Sequence, residues 1–74
     1  MRRAVLRYVE EYDRWFANVG KQMTALHCGE GFQLHMGRRK VDCRIEMGRT
    51  WYVIMGDVPL ALMKNKTYLI SINI

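Results

Sequence analysis

Residues 3–19 read RAVLRYVEEYDRWFANV, and the way this stretch folds decides the class of the whole domain. Val5, Tyr8, Val9, Tyr12, Trp15, Phe16 and Val19 recur at steps of three and four. That spacing gathers the apolar side chains into one stripe and predicts an amphipathic helix over 3–19. Arg7 and Glu11 stand four apart, as do Glu10 and Arg14, and both pairs fall on the wet side of such a helix. Gly20 follows the last apolar position, where a helix cap favours positive φ. Lys21 adds a cation at the negative end of the helix dipole.

Beyond Gly20 the apolar period shortens to two. Phe32, Leu34 and Met36 alternate with Gln33 and His35; Val41, Cys43, Ile45 and Met47 alternate with Asp42, Arg44 and Glu46. Trp51, Val53 and Met55 form a third series, and Tyr68, Ile70, Ile72 and Ile74 a fourth. Each reads as a strand with one buried face. Gly29-Glu30-Gly31, Gly37-Arg38-Arg39, Gly48-Arg49, Gly56-Asp57-Val58-Pro59 and Lys64-Asn65-Lys66 separate them as turns. The expectation is a single α+β domain over residues 1–74. It has a helix at 3–19 and a β portion at 23–74, a five- to six-stranded antiparallel meander closing into a small barrel or strongly bent sheet.

The chain has 74 residues, half of them apolar, enough for one modest core. Two cysteines permit one disulfide at most, against the density usual in small secreted domains. No secretory leader is legible, since Arg7, Glu10 and Glu11 interrupt the apolar run behind Arg2 and Arg3. No stretch approaches the roughly 20 apolar residues of a membrane span. The expectation is a cytoplasmic protein with free thiols. Twelve Lys and Arg against seven Asp and Glu leave a net charge of +5, which favours acidic partners such as nucleic acid or an acidic protein surface.

Every His and Cys of the chain, His27, Cys28, His35 and Cys43, lies within one short segment, and four such ligands are the makings of a tetrahedral zinc site. The spacing matches no zinc-finger pattern. Strand parity also turns His35 away from the face that Cys43 shares with Ile45. No metal or other cofactor is therefore assigned, and a zinc-stabilised domain stands as an alternative. Cys28 with His35 across the glycine turn would make a nucleophile and base, but nothing orients the histidine. Gly29-Glu30-Gly31 is not a phosphate cradle, because a strand follows it and Glu30 repels phosphate. Arg38, Arg39 and Lys40 form one hairpin tip, Arg44 lies on an outward face, and Arg49 sits at an opposite turn beside Lys64 and Lys66. These five, Arg38, Arg39, Lys40, Arg44 and Arg49, are the candidate partner-binding residues. Six methionines suit an irregular core. The aromatic stripe of the helix is its dock on the sheet, or a homodimer face.

From residue 26 onward the chain resembles a family of small uncharacterised bacterial proteins, frequent in Firmicutes and in their phages and mobile elements. The resemblance rests on Leu26-His27-Cys28-Gly29-Glu30, Arg44-Ile45-Glu46-Met47, Trp51-Tyr52 and a leucine-turn-strand close from Leu62 to Ile72. The amphipathic stretch is outside that pattern, and Asn65 stands where the last turn usually has glycine. The resemblance implies a compact β domain with no assigned activity. It carries His27 and Cys28 but not His35 and Cys43. In size, charge and lack of a catalytic constellation the chain is also similar to phage-encoded inhibitors of the anti-CRISPR type. The expected function is thus non-enzymatic binding to a host protein or nucleoprotein, such as a CRISPR effector. Direct nucleic-acid binding through the basic tips is the alternative.

Overall fold

A computed structural model describes all 74 residues. It contains eight strands: β1 (Arg2–Val9), β2 (Arg14–Val19), β3 (Gln22–Ala25), β4 (Gly31–Met36), β5 (Arg39–Met47), β6 (Trp51–Met55), β7 (Val58–Ala61) and β8 (Tyr68–Ile72). The expected α+β class is wrong: the sole helical element is a 3-10 turn at Glu10–Tyr12, and residues 3–19 form the β1–β2 hairpin. Leu6 faces Ala17 and Tyr8 faces Trp15 across it. The buried residues are Ala4 and Leu6 on one strand and Trp15 and Ala17 on the other, a period of two within each strand. Val5 and Tyr12, which a helical stripe would bury, are exposed.

The physical reason lies in the tip. The 3-10 turn and Asp13, in the left-handed region at φ 46, reset the phase between the strands, so two alternating patterns add up to helical spacing. The β-branched and aromatic side chains that fill the stretch also pack better on a pleated surface than along a helix. The anticipated Arg7–Glu11 and Glu10–Arg14 pairs do not form; the single ion pair is Arg44–Glu46 at 2.8 Å. Gly20 has the positive φ expected of it, at 59°, but uses it in the two-residue turn between Val19 and Gln22. A glycine in the first central position is what a primed hairpin turn demands. Gly37-Arg38 and Gly56-Asp57 repeat the device.

All strand pairings are antiparallel, in the order β3-β2-β1-β8-β4-β5-β6-β7. The chain is not a simple meander, because β8 returns to lie between β1 and β4. Arg2 pairs with Ile72, so the two ends of the sequence join the sheet together. The sheet curls until Trp51, at the start of β6, reaches Asp13 at the β1–β2 tip, although β8, β4 and β5 lie between. It does not close into a barrel: β3 and β7 each have one neighbour.

One face lines the inside of the curl. Ala4, Leu6, Trp15, Ala17, Leu26, Phe32, Leu34, Cys43, Ile45, Trp51, Val53, Leu62, Ile70 and Ile72 form a single core there. The inward parity expected of Phe32, Leu34, Cys43, Ile45, Trp51, Val53, Ile70 and Ile72 holds. Met36 and Met47, at strand ends, are exposed. At 74 residues this one core carries the stability of the domain, and burial of its apolar area is the principal favourable contribution.

Candidate functional site

The other face of the sheet is polar and basic, and the register dictates its content. Arg3, Val5 and Arg7 on β1 alternate with buried Ala4 and Leu6. Leu69 and Ser71 on β8, Gln33 and His35 on β4, and Lys40, Asp42 and Arg44 on β5 have the same outward parity. Arg3 pairs with Ser71, Ser71 with Gln33, and His35 with Lys40, so these side chains neighbour one another across four strands. Ser71 is the one buried polar residue, and its Oγ lies 2.7 Å from His35 Nε2. Burial, then the nearby Lys40 and Arg3 charges, hold the His35 imidazolium below its usual pKa. Gln33 Nε2 donates to Asp42 Oδ1 at 3.2 Å, which occupies the closest carboxylate. A groove beside this cluster is lined by Arg3, Val5, Asn18 and Leu69.

The five candidate partner-binding residues do not form one patch. Arg38 caps the β4–β5 turn, and Arg39 and Lys40 open β5, all three exposed. Arg49 lies in the loop at the other end of β5, a strand of nine residues. Arg44 lies between on the outer face, with its Nε held by Glu46. Lys64 does not stand free, because its Nζ sits 4.8 Å from the centre of the Tyr8 ring. The Arg38–Lys40 tip continues directly into the outer-face cluster through Lys40, whereas Arg49 is remote from both. Arg3 and Ser71 are not among the residues that the sequence singles out for binding, and His35 enters there only as a zinc ligand or a base. Only β8 inserted beside β1 and β4 brings them together.

Comparison with known families matches residues 4–72 to a domain of unknown function, DUF5348. The chain belongs to the DUF5348 family. The match covers β1 to β8, so the β1–β2 hairpin is an integral part of the DUF5348 domain and not an addition to a pattern that starts at residue 26. A crystal structure of a protein from Ruminococcus gnavus, a structural genomics target, is similar over 96% of this chain and 100% of its own, at 29% identity and a TM-score of 0.79. No curated protein matches.

Within this DUF5348 domain, the Leu26–Glu30 segment is a structural corner. Leu26 is fully buried, and its N–H donates to the Trp15 carbonyl at 2.9 Å. The His27 N–H donates to Glu30 Oε1 at 2.9 Å, and the Glu30 N–H returns a bond to the His27 carbonyl at 3.1 Å. Gly29 N–H and the Glu30 carbonyl then pair with Ile45 of β5. Arg14 Nη1 bonds the Leu26 carbonyl at 3.1 Å and lies 3.0 Å from His27 Nδ1. The corner does not make a hairpin, because β3 pairs with β2 and β4 with β5 and β8. Cys28 and His35 are thus not cross-strand neighbours.

The four zinc-ligand candidates are dispersed. His27 is engaged at the corner, Cys28 is exposed, His35 bonds Ser71 on the outer face, and Cys43 is buried on the core face. No three His, Cys, Asp or Glu side chains gather as a metal group. Burial pushes the Cys43 thiol up to about 11, which keeps it protonated as a small core hydrophobe. No helix is long and apolar enough to cross a membrane.

Proposed function

We propose that this DUF5348 domain is a non-enzymatic binding module that docks on a host protein or nucleoprotein machine and modulates it by occupying a surface. One observation carries the reading. Of twelve Lys and Arg side chains, only Arg44 is ion-paired, which leaves the Arg38–Lys40 tip free of ion pairs and the adjoining outer face with an excess of positive charge, Arg3, Arg7 and Lys40 against Asp42. Such a surface attracts an acidic partner and steers its approach. Small size and net charge of +5 support the form of this reading in which a phage or mobile element encodes the chain and a CRISPR effector is the machine. The protein acts in the cytoplasm in that case, and needs no cofactor.

The test is affinity capture from the native host with the intact chain and with an Arg38→Glu, Arg39→Glu, Lys40→Glu variant, under nuclease treatment. A defined protein partner retained through nuclease and lost by the variant is the expected result. A partner held equally by both proteins would sink the reading. Capture that disappears with nuclease supports the second reading, a stand-alone nucleic-acid binder, for which the outer-face cations are the specific observation.

A further inference from the structure

The outer-face cluster has a composition that a solvated sheet surface does not require. A Ser–His pair sits at its centre, with the serine 3% exposed and the imidazole 2.7 Å away. Arg3 of β1 flanks it through Ser71, and Lys40 of β5 flanks it on the other side as the direct partner of His35. The one acidic group facing the cluster from a packed element is Asp42 of β5, and its Oδ1 is bonded by Gln33 of β4. The line of cations also runs on past both flanks, to Arg7 along β1 and to Arg38 at the β4–β5 turn.

From this juxtaposition we infer that Arg3, Ser71, His35 and Lys40 form an oxyanion track that binds the phosphodiester backbone of a nucleic acid. The inference rests on the outer face being the contact surface of the docking reading, and it names the nucleic acid of a nucleoprotein partner as what crosses that face. The geometry favours a polymer over a lone anion. Arg3 and Lys40 stand on strands three spacings apart, about 14 Å between backbones. That is the axial span of about four phosphates of one duplex strand. A single phosphate at His35 would leave Arg7 and Arg38 unused. The Arg and Lys side chains supply charge, while the imidazole, braced by the buried Ser71 hydroxyl, supplies a hydrogen bond that a phosphate oxygen can accept.

Proton linkage follows from the surroundings of His35. In the free protein, burial and the Lys40 and Arg3 charges disfavour the imidazolium. An anion seated among the three would favour it, so binding takes up a proton and tightens as pH falls. The gain is up to about tenfold for each unit by which the anion raises the His35 pKa.

The experiment is a titration of the isotopically labelled full chain with a short oligothymidylate, with inorganic phosphate, and with a polyglutamate peptide of matched charge. Amide and imidazole shifts and the dissociation constant are read at about pH 6 and about pH 8. The expected result is oligonucleotide-specific shifts at Arg3, His35, Lys40 and Ser71. Affinity should be tighter at the lower pH, with a log–log salt slope of about −2 for three cationic contacts. His35→Gln should bind with the pH dependence gone, and Arg3→Glu or Lys40→Glu should bind more weakly with a shallower salt slope. No shift with the oligonucleotide, equal shifts with polyglutamate, or saturation by inorganic phosphate without oligonucleotide binding would each overturn the assignment. The Arg38–Lys40 variant separates the two proposals: loss of the docking reading is a captured partner that ignores those substitutions, whatever the His35 titration shows.

Discussion

Asp13 shows how much one side chain can organise. It occupies the left-handed region at φ 46 and ψ 52, which aspartate tolerates better than most residues. There its Oδ1 accepts the Tyr8 hydroxyl at 2.5 Å and, at a longer 3.4 Å, the Trp51 indole N–H. The hydrogen bond to Asp13 pushes the Tyr8 hydroxyl from 10.0 up to about 12. The same bond, then that from Trp51, holds the Asp13 carboxyl below its ordinary 3.8. The two signs bracket a window. Tyr8 is raised in the folded state, so its contribution to stability is whole below pH 10 and is lost as pH rises through 12. Asp13 is lowered, so its contribution is whole above its unfolded value of 3.8 and is lost as pH falls through the depressed folded value. Tyr8→Phe should therefore narrow the stability gap between neutral and alkaline pH relative to the unsubstituted protein. Urea unfolding across a pH series checks this, and an unchanged alkaline limb in the variant would refute it. Neither the bond nor the window was legible in the sequence: Tyr8 and Asp13 are only five residues apart but meet through the left-handed Asp13 at the hairpin tip, where the spacing predicts a helix, and Trp51 joins from 38 residues away.

At the scale of elements, Val5 and Leu6 distinguish a helix from a hairpin over residues 3–19. The helical stripe includes Val5 and omits Leu6, whereas β1 exposes 40% of Val5 and none of Leu6. Leu6→Ala should then cost about 2–5 kcal/mol, as for other fully buried leucines. Val5→Ala should stay within about 0.5 kcal/mol, as for other surface changes. Chemical denaturation of both variants measures the difference, and a reversed order would restore the helix. The turns were easier to locate than the element between them. Gly37 and Gly56 read as turn glycines and Gly20 as a helix cap, and all three have positive φ in two-residue turns. Gly20→Ala meets no neighbouring atom, so its cost should be conformational alone, about 1–2 kcal/mol.

For the whole molecule, stability should grade from the middle of the sheet outward. β8 is paired on both sides, with β1 over residues Arg2–Leu6 and with β4 at Gln33 and Leu34. β3 and β7 are open edges, and Pro59 on β7 removes a donor that another strand would use. In native-state hydrogen exchange, amides at Ile70 should be among the slowest and those of Gln22–Ala25 and Val58–Ala61 among the fastest. Uniform protection across all eight strands would contradict the open-edged sheet. The outer-face cluster belongs to this scale too. Arg3 and Ser71 are 68 positions apart in the chain and adjacent only because β8 crosses back to β1.

The sequence by itself determined β4, β5, β6 and β8, most of their inward residues and the tight turns, but read Val58 and Pro59 of β7 as part of a turn. Those features depend on local alternation and on glycine's access to positive φ, both of which a short window contains. It also marked the Leu26–Glu30 corner, where His27 and Glu30 bond each other, although its remaining hydrogen bonds run to Arg14, Trp15 and Ile45 of other strands. Tertiary structure alone decided that residues 3–19 are two strands, because side chains at helical spacing satisfy either element until a partner strand is present to bury one parity. It also decided that β8 lies between β1 and β4, and hence that Arg3, His35, Ser71 and Lys40 share one surface. Those neighbours are set by pairing between distant strands, and no local pattern along the chain encodes a long-range register.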